Sequence, residues 1–145
     1  MREVTNLGTI AHIIQLSVAP VFLLTGIGTI LNVMTNRLGR IIDRARLLEG
    51  KLEVCAPEAA PGIRHQLATL SLRSKLVGRA IALCTATALL VCAAIALLFL
   101  GHFIVWDIWY LVAVLFIGAM ILLVAGLLWF LREIFVATAR LRIGP

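Results

Sequence analysis

Charge is scarce in this chain of 145 residues: only 14% are Asp, Glu, Lys or Arg, while 62% are apolar and the mean hydropathy is +1.08. Soluble globular domains carry about a quarter charged residues and about half apolar ones. A water-soluble domain is therefore excluded, and the length suits one compact membrane domain, residues 1–145. Acids are the scarcest charged group, with seven in all: Glu3, Asp43, Glu49, Glu53, Glu58, Asp107 and Glu133. Membrane phosphotransfer on two metals needs several acids on facing helices, and here only Asp43 falls in a polar stripe close to a membrane surface. Cysteine is limited to Cys55, Cys84 and Cys92, an odd count with no CxxC, which argues against a disulfide framework and a zinc knuckle. Cys84 and Cys92 read as small core residues. HExxH, a phosphate loop, GxSxG and GxGxxG are all missing. The histidines, His12, His65 and His102, are far apart. No catalytic residue, metal ligand or cofactor is expected, and the chain does not read as an enzyme.

What is present is three long apolar runs. A spanning helix needs about 20 mostly apolar residues, and segments at about 10–35, 80–100 and 108–131 qualify. The N-terminus lacks the short apolar stretch and small-residue cleavage site of a secretory signal, so the first span is expected to be retained. The formal charge is +6, from 13 basic residues. Their placement points to topology rather than to nucleic acid. Nine lie in 36–79: Arg37, Arg40, Arg44, Arg46, Lys51, Arg64, Arg73, Lys75 and Arg79. Arg132, Arg140 and Arg142 follow the third span. Basic residues in short loops favour the cytoplasm, so 36–79 and the C-terminus are expected inside and the N-terminus outside. Aromatic residues at the ends of the spans agree: Phe103, Trp106, Trp109 and Tyr110 at the outer turn, Trp129, Phe130 and Phe135 at the inner end.

Helical periodicity continues past the membrane. Leu38, Ile41, Ala45, Leu48 and Leu52 form one apolar seam; Ile63, Leu67, Leu70, Ser74, Val77 and Ile81 form another. Between them, Glu53 to Gly62 holds two prolines and a glycine, which break helix. The expected fold is an all-α membrane protein of three transmembrane helices, with helices 1 and 2 extended as a cytoplasmic antiparallel helical hairpin over about 36–79. The exposed charge of Arg37, Arg44, Arg46, Arg64, Arg73, Lys75 and Arg79 is either a solvated surface that enforces topology or a basic collar near anionic lipid or permeating anions. Small residues recur along the second span, Gly78, Ala82 and Ala86 in one row and Ala88, Cys92 and Ala96 in another, with Gly118 and Gly126 in the third. Such rows let helices approach closely in lipid, within a chain or between chains.

The first span is the least lipid-like. At 100° per residue, Thr25, Thr29, Asn32, Asn36, Arg40 and Asp43 share one helix face about 80° wide. Lipid hosts such a stripe only at a cost. It is either interhelical glue or the lining of a path, and a path requires a homo-oligomer because three spans do not enclose one. Pro20 removes a backbone donor and is expected to kink the helix; His12 lies on a different side.

Two stretches of the first helix carry a resemblance. Ile14-Gln-Leu-Ser-Val-Ala-Pro-Val-Phe-Leu-Leu24 leads into Leu31-Asn-Val-Met-Thr-Asn-Arg-Leu-Gly-Arg40, then Ile41-Ile-Asp-Arg-Ala-Arg46. The Ala19-Pro20 dipeptide and the register from Asn36 to Arg46 resemble a family of small bacterial membrane proteins catalogued as a domain of unknown function. The resemblance spans almost the whole chain and implies a bacterial inner-membrane location. It brings no reaction or ligand. The leading functional expectation is a channel-like homo-oligomer lined by helix 1. Its rival is a non-transporting scaffold whose basic hairpin binds anionic lipid or a cytoplasmic protein partner.

Overall fold

A computed structural model describes residues 2–101 and 108–139. Three helices account for nearly all of them: α1, Arg2–Val54; α2, Ala60–Leu100; and α3, Trp109–Ala139. No strand occurs among the described residues. Each helix is long and apolar enough to cross a membrane, which makes the chain an all-α, multi-pass membrane protein. With 53 residues, α1 is about 80 Å long at 1.5 Å per residue, well over twice the roughly 30 Å hydrocarbon core of a bilayer. The outer-turn aromatics Phe103 and Trp106 and the terminal Arg140 and Arg142 lie outside the described residues.

The break between α1 and α2 is shorter than the proline and glycine content suggested, covering only 55–59. Pro57 sits in the turn, which the Ala59 N–H closes by donating to the Ala56 carbonyl at 3.0 Å. Pro61 is tolerated in the first turn of α2, where a backbone N–H would have no helical partner to lose. Pro20 does not end α1, which runs through it as one helix.

α2 is the central element and packs against both α1 and α3. Its neighbours are selected by a simple rule. Nearly all the buried side chains advance in steps of seven: Ile27, Met34 and Ile41 in α1; Leu70, Val77, Cys84 and Val91, with Ala80, Thr87 and Ala94, in α2; Ala119, Gly126 and Glu133 in α3. A strict seven-residue repeat keeps one face of a helix turned towards its neighbour over many turns. Every residue of the two expected seams, from Leu38 to Leu52 and from Ile63 to Ile81, is buried or half-buried. The expected small-residue rows of α2 are only half covered: Gly78, Ala86 and Ala88 are half-buried, Ala88 against the core, whereas Ala82, Cys92 and Ala96 are exposed. Close approach is made instead at Gly126, where an added Cβ would lie 3.0 Å from Cys84 Sγ and 3.2 Å from Leu83 Cβ. The outward faces carry Phe22, Leu89, Ile117, Ile121 and Leu128, a surface suited to lipid rather than water.

Candidate functional site: a buried carboxylate and two polar surfaces

The packed face of α3 begins with two small residues, Ala119 and Gly126, and its next step of seven is Glu133. The carboxylate is thereby forced into the bundle, where it is 0% exposed. Buried charge is tolerated only when paired and hydrogen-bonded, and both other helices supply a partner. From α2, Arg73 donates through Nε at 3.0 Å and through Nη2 at 2.9 Å to Oε1. From α1, Arg37 Nη2 lies 3.0 Å from Oε2. That contact is an ion pair by distance, but its angle is off the hydrogen-bond line, so Oε2 accepts no hydrogen bond. The three charges sum to +1.

Aromatic rings frame the cluster. The Arg37 guanidinium lies 5.4 Å from the centre of the Phe130 ring, and Arg79 and Arg132 lie 5.0 and 5.6 Å from that of Trp129. Such cation–π contacts contribute about 0.5–1 kcal/mol each when exposed. The arrangement ties α1, α2 and α3 at one level, close to where the apolar run of α3 ends. It offers no nucleophile. Among the described residues no group of three or more His, Cys, Asp or Glu is placed to hold a metal ion.

The residues expected to form a basic surface thus divide. Arg37 and Arg73 are half-buried on Glu133, and Arg79 covers Trp129. Arg40, Arg44, Arg46, Arg64 and Lys75 are exposed. Arg40 and Arg44 join Arg37 and Arg73 around a cleft of about 490 Å³ between α1 and α2, floored by Val33, Ile41 and Leu70. Asp43 lies on the other side of the same two arginines, in a cleft shared with Lys51 and Gln66.

Thr25, Thr29, Asn32, Asn36, Arg40 and Asp43 are all exposed. Their short bonds stay within α1: Thr25 and Thr29 donate to the carbonyls of Val21 and Thr25 at 3.3 and 3.1 Å, and Asn36 Nδ2 donates to Asn32 Oδ1 at 3.3 Å. Among the described residues no hydrogen bond or ion pair from α2 or α3 reaches the stripe, although α2 flanks its last two members, Arg40 beside Leu70 and Arg73 and Asp43 beside Gln66. Pro20 is half-buried, and one turn earlier the buried Ser17 hydroxyl donates to the Ile13 carbonyl at 2.9 Å. His12 lines a separate cavity of about 180 Å³ with Leu97, Gly101 and Trp109, towards the far end of the bundle.

Sequence reasoning placed the two arginines of the tie but missed its centre, Glu133. The available signal was the spacing Ala119, Gly126, Glu133, which continues a row of small packing residues into an acid. No curated protein matches the chain, and no solved structure does. A family model does match, over residues 17–143. It covers the stripe, the arginines and Glu133 together, and the chain belongs to the family described as protein of unknown function, DUF2721.

Proposed function

We propose that the chain is the subunit of a homo-oligomeric, channel-like protein of the bacterial inner membrane, with the polar face of α1 turned towards the axis. The observation that carries this reading is the exposure of all six stripe residues. Thr25, Thr29 and Asn32 lie within the span, and among the described residues no hydrogen bond from α2 or α3 reaches them, so within lipid they need a second polar surface or water. Copies of α1 around an axis supply both. The extended ends of α1 and α2 then form a cytoplasmic antiparallel hairpin over 36–79, and the N-terminus faces outside, as the distribution of basic residues favours. Thr25, Thr29, Asn32 and Asn36 make a neutral lining, and Arg40 with Asp43 lies at the inner mouth.

The test is ion flux into liposomes holding the purified protein, together with particle images of the assembly in mild detergent. Thr29→Leu with Asn32→Leu is expected to reduce flux to the level of empty liposomes. Unchanged flux, a monomer, or a ring whose axis is lined by α2 and α3 overturns the assignment.

A second reading, a scaffold that binds a cytoplasmic protein through the hairpin, draws on Arg64 and Lys75, which are exposed and form no ion pair among the described residues. Charge reversal at both positions abolishes partner recovery if that reading holds; unchanged recovery removes it.

A further inference from the structure

We infer that the cleft between α1 and α2 holds the phosphate of an anionic phospholipid headgroup, gripped by Arg40 and Arg44 with Arg37 and Arg73 behind them. The inference does not rest on the oligomeric reading, with which it competes for Arg40; it needs only that the helices span a membrane.

The local sequence builds the site. Residues 37, 40 and 44 are three and four apart and share one helix face. Val33 extends that row towards the apolar part of α1. Arg73 completes the wall from α2. Four guanidiniums therefore line one cleft whose floor is Val33, Ile41 and Leu70.

The charges do not cancel. Among the described residues the ion pairs are those of Glu133, which engages Arg37 and Arg73. Arg40 and Arg44 are exposed and form no ion pair there. Even with Asp43 counted beside Glu133, the surroundings keep an excess of two positive charges. Guanidinium is the side-chain group best shaped for phosphate, because its planar fork presents paired N–H donors to two oxygens.

Depth and floor select a lipid over a free ion. Phe130 lies under Arg37, while Trp129 lies between Arg79 and Arg132. Aromatic rings with such polar flanks settle at headgroup level, and basic pockets between spanning helices at that level suit anionic headgroups. Val33, 48% exposed, leads from the arginines to the apolar run, which is where the acyl chains of a bound lipid would pass. A free phosphate would leave that floor uncovered.

The test uses the full chain purified in a neutral detergent, with native mass spectrometry reading which lipids stay bound. Phosphatidylglycerol and phosphatidylcholine with identical acyl chains are offered together. The wild type is expected to retain phosphatidylglycerol preferentially, and millimolar inorganic phosphate to leave it bound. R40Q/R44Q should lower that affinity about 30-fold, at roughly fivefold per basic residue. R64Q/K75Q removes the same net charge elsewhere and should retain the lipid as the wild type does.

Equal retention of the two lipids by the wild type overturns the inference, as does wild-type retention by R40Q/R44Q. An equal loss in R64Q/K75Q reduces the effect to diffuse charge and overturns the site. Displacement by inorganic phosphate overturns the lipid assignment in favour of a free-anion site. If R40Q/R44Q fails to fold, R44Q alone carries the same test, with an expected loss of about fivefold, and wild-type retention by it overturns the site.

Discussion

Glu133→Gln tests the central tie most directly, because it keeps the side chain's shape and removes only its charge. In the wild type the carboxylate lies within 3.0 Å of a guanidinium nitrogen on each side. Without it, two guanidiniums face each other across roughly 8 Å, and their repulsion is about 2 kcal/mol at an effective dielectric near 20. The Gln Oε1 still accepts from Arg73, but its two bonds lose their charge assistance, which costs about a further 1–2 kcal/mol. Water recovers part of this, since the arginine side chains are 31% and 24% exposed. The expected net loss is about 3 kcal/mol, the low end for breaking a buried ion pair by removing one partner. Replacing the whole cluster, with Arg37→Met, Arg73→Met and Glu133→Leu, should instead leave stability within about 1 kcal/mol of the wild type, because no buried charge is then orphaned. Reversible unfolding by sodium dodecyl sulfate, followed by far-ultraviolet circular dichroism, measures both. If Glu133→Gln lies within about 0.5 kcal/mol of the wild type, or if the triple variant is less stable than the single one, the tie does not hold the bundle as described.

The same titration separates two glycines. Gly126→Leu should destabilise by about 1–3 kcal/mol through overpacking, since even a Cβ there meets Cys84 Sγ at 3.0 Å. Gly118→Ala, whose nearest neighbour is Leu90 Cδ1 at 3.8 Å, should be neutral or gain up to about 1 kcal/mol from helix propensity; the reverse order would contradict the packing at α2–α3. Cys55, half-buried beside the turn, should react with a membrane-impermeant maleimide only in inside-out vesicles under the proposed orientation, while buried Cys84 stays unlabelled until the protein is unfolded. Labelling of Cys55 in right-side-out vesicles would invert the topology.

The helices were readable because apolar length and seven-residue spacing are written directly into the chain. The seam from Leu38 to Leu52 is buried or half-buried as its periodicity required, since burial there is decided by which face of one helix is apolar. The turn was read too broadly because a proline breaks a helix only where its missing donor would have been used, and Pro61 stands where it would not. The small-residue rows of α2 are covered only in part within the chain, for a different reason. Gly78, Ala82 and Ala86 have the spacing of a packing face, but α2 is flanked by two partners, and which small residues are covered depends on where both lie. Glu133 escaped for the same cause: one acid among apolar neighbours declares its partners only when Arg37, 96 positions away, and Arg73, 60 positions away, are brought to it. The stripe on α1 was visible as a pattern, and the structure adds that all six of its residues are exposed, with no hydrogen bond or ion pair from another helix among the described residues.

The Glu133 tie has a consequence for how the molecule meets bilayers of different thickness. One carboxylate holds guanidiniums from two other helices, so all three share a single depth reference at that end. Sliding α3 by one turn, about 5.4 Å, carries the carboxylate away from Arg37 and Arg73 together. A thicker or thinner membrane is therefore not met by independent slippage of the helices. It is met by splaying or tilting about the tied end, or by deforming the lipid, at fractions of a kcal/mol per Å of mismatch. Such a motion is expected to be largest at the opposite end, where His12, Leu97 and Trp109 line their small cavity, and a change in that cavity's width with bilayer thickness is its expected sign.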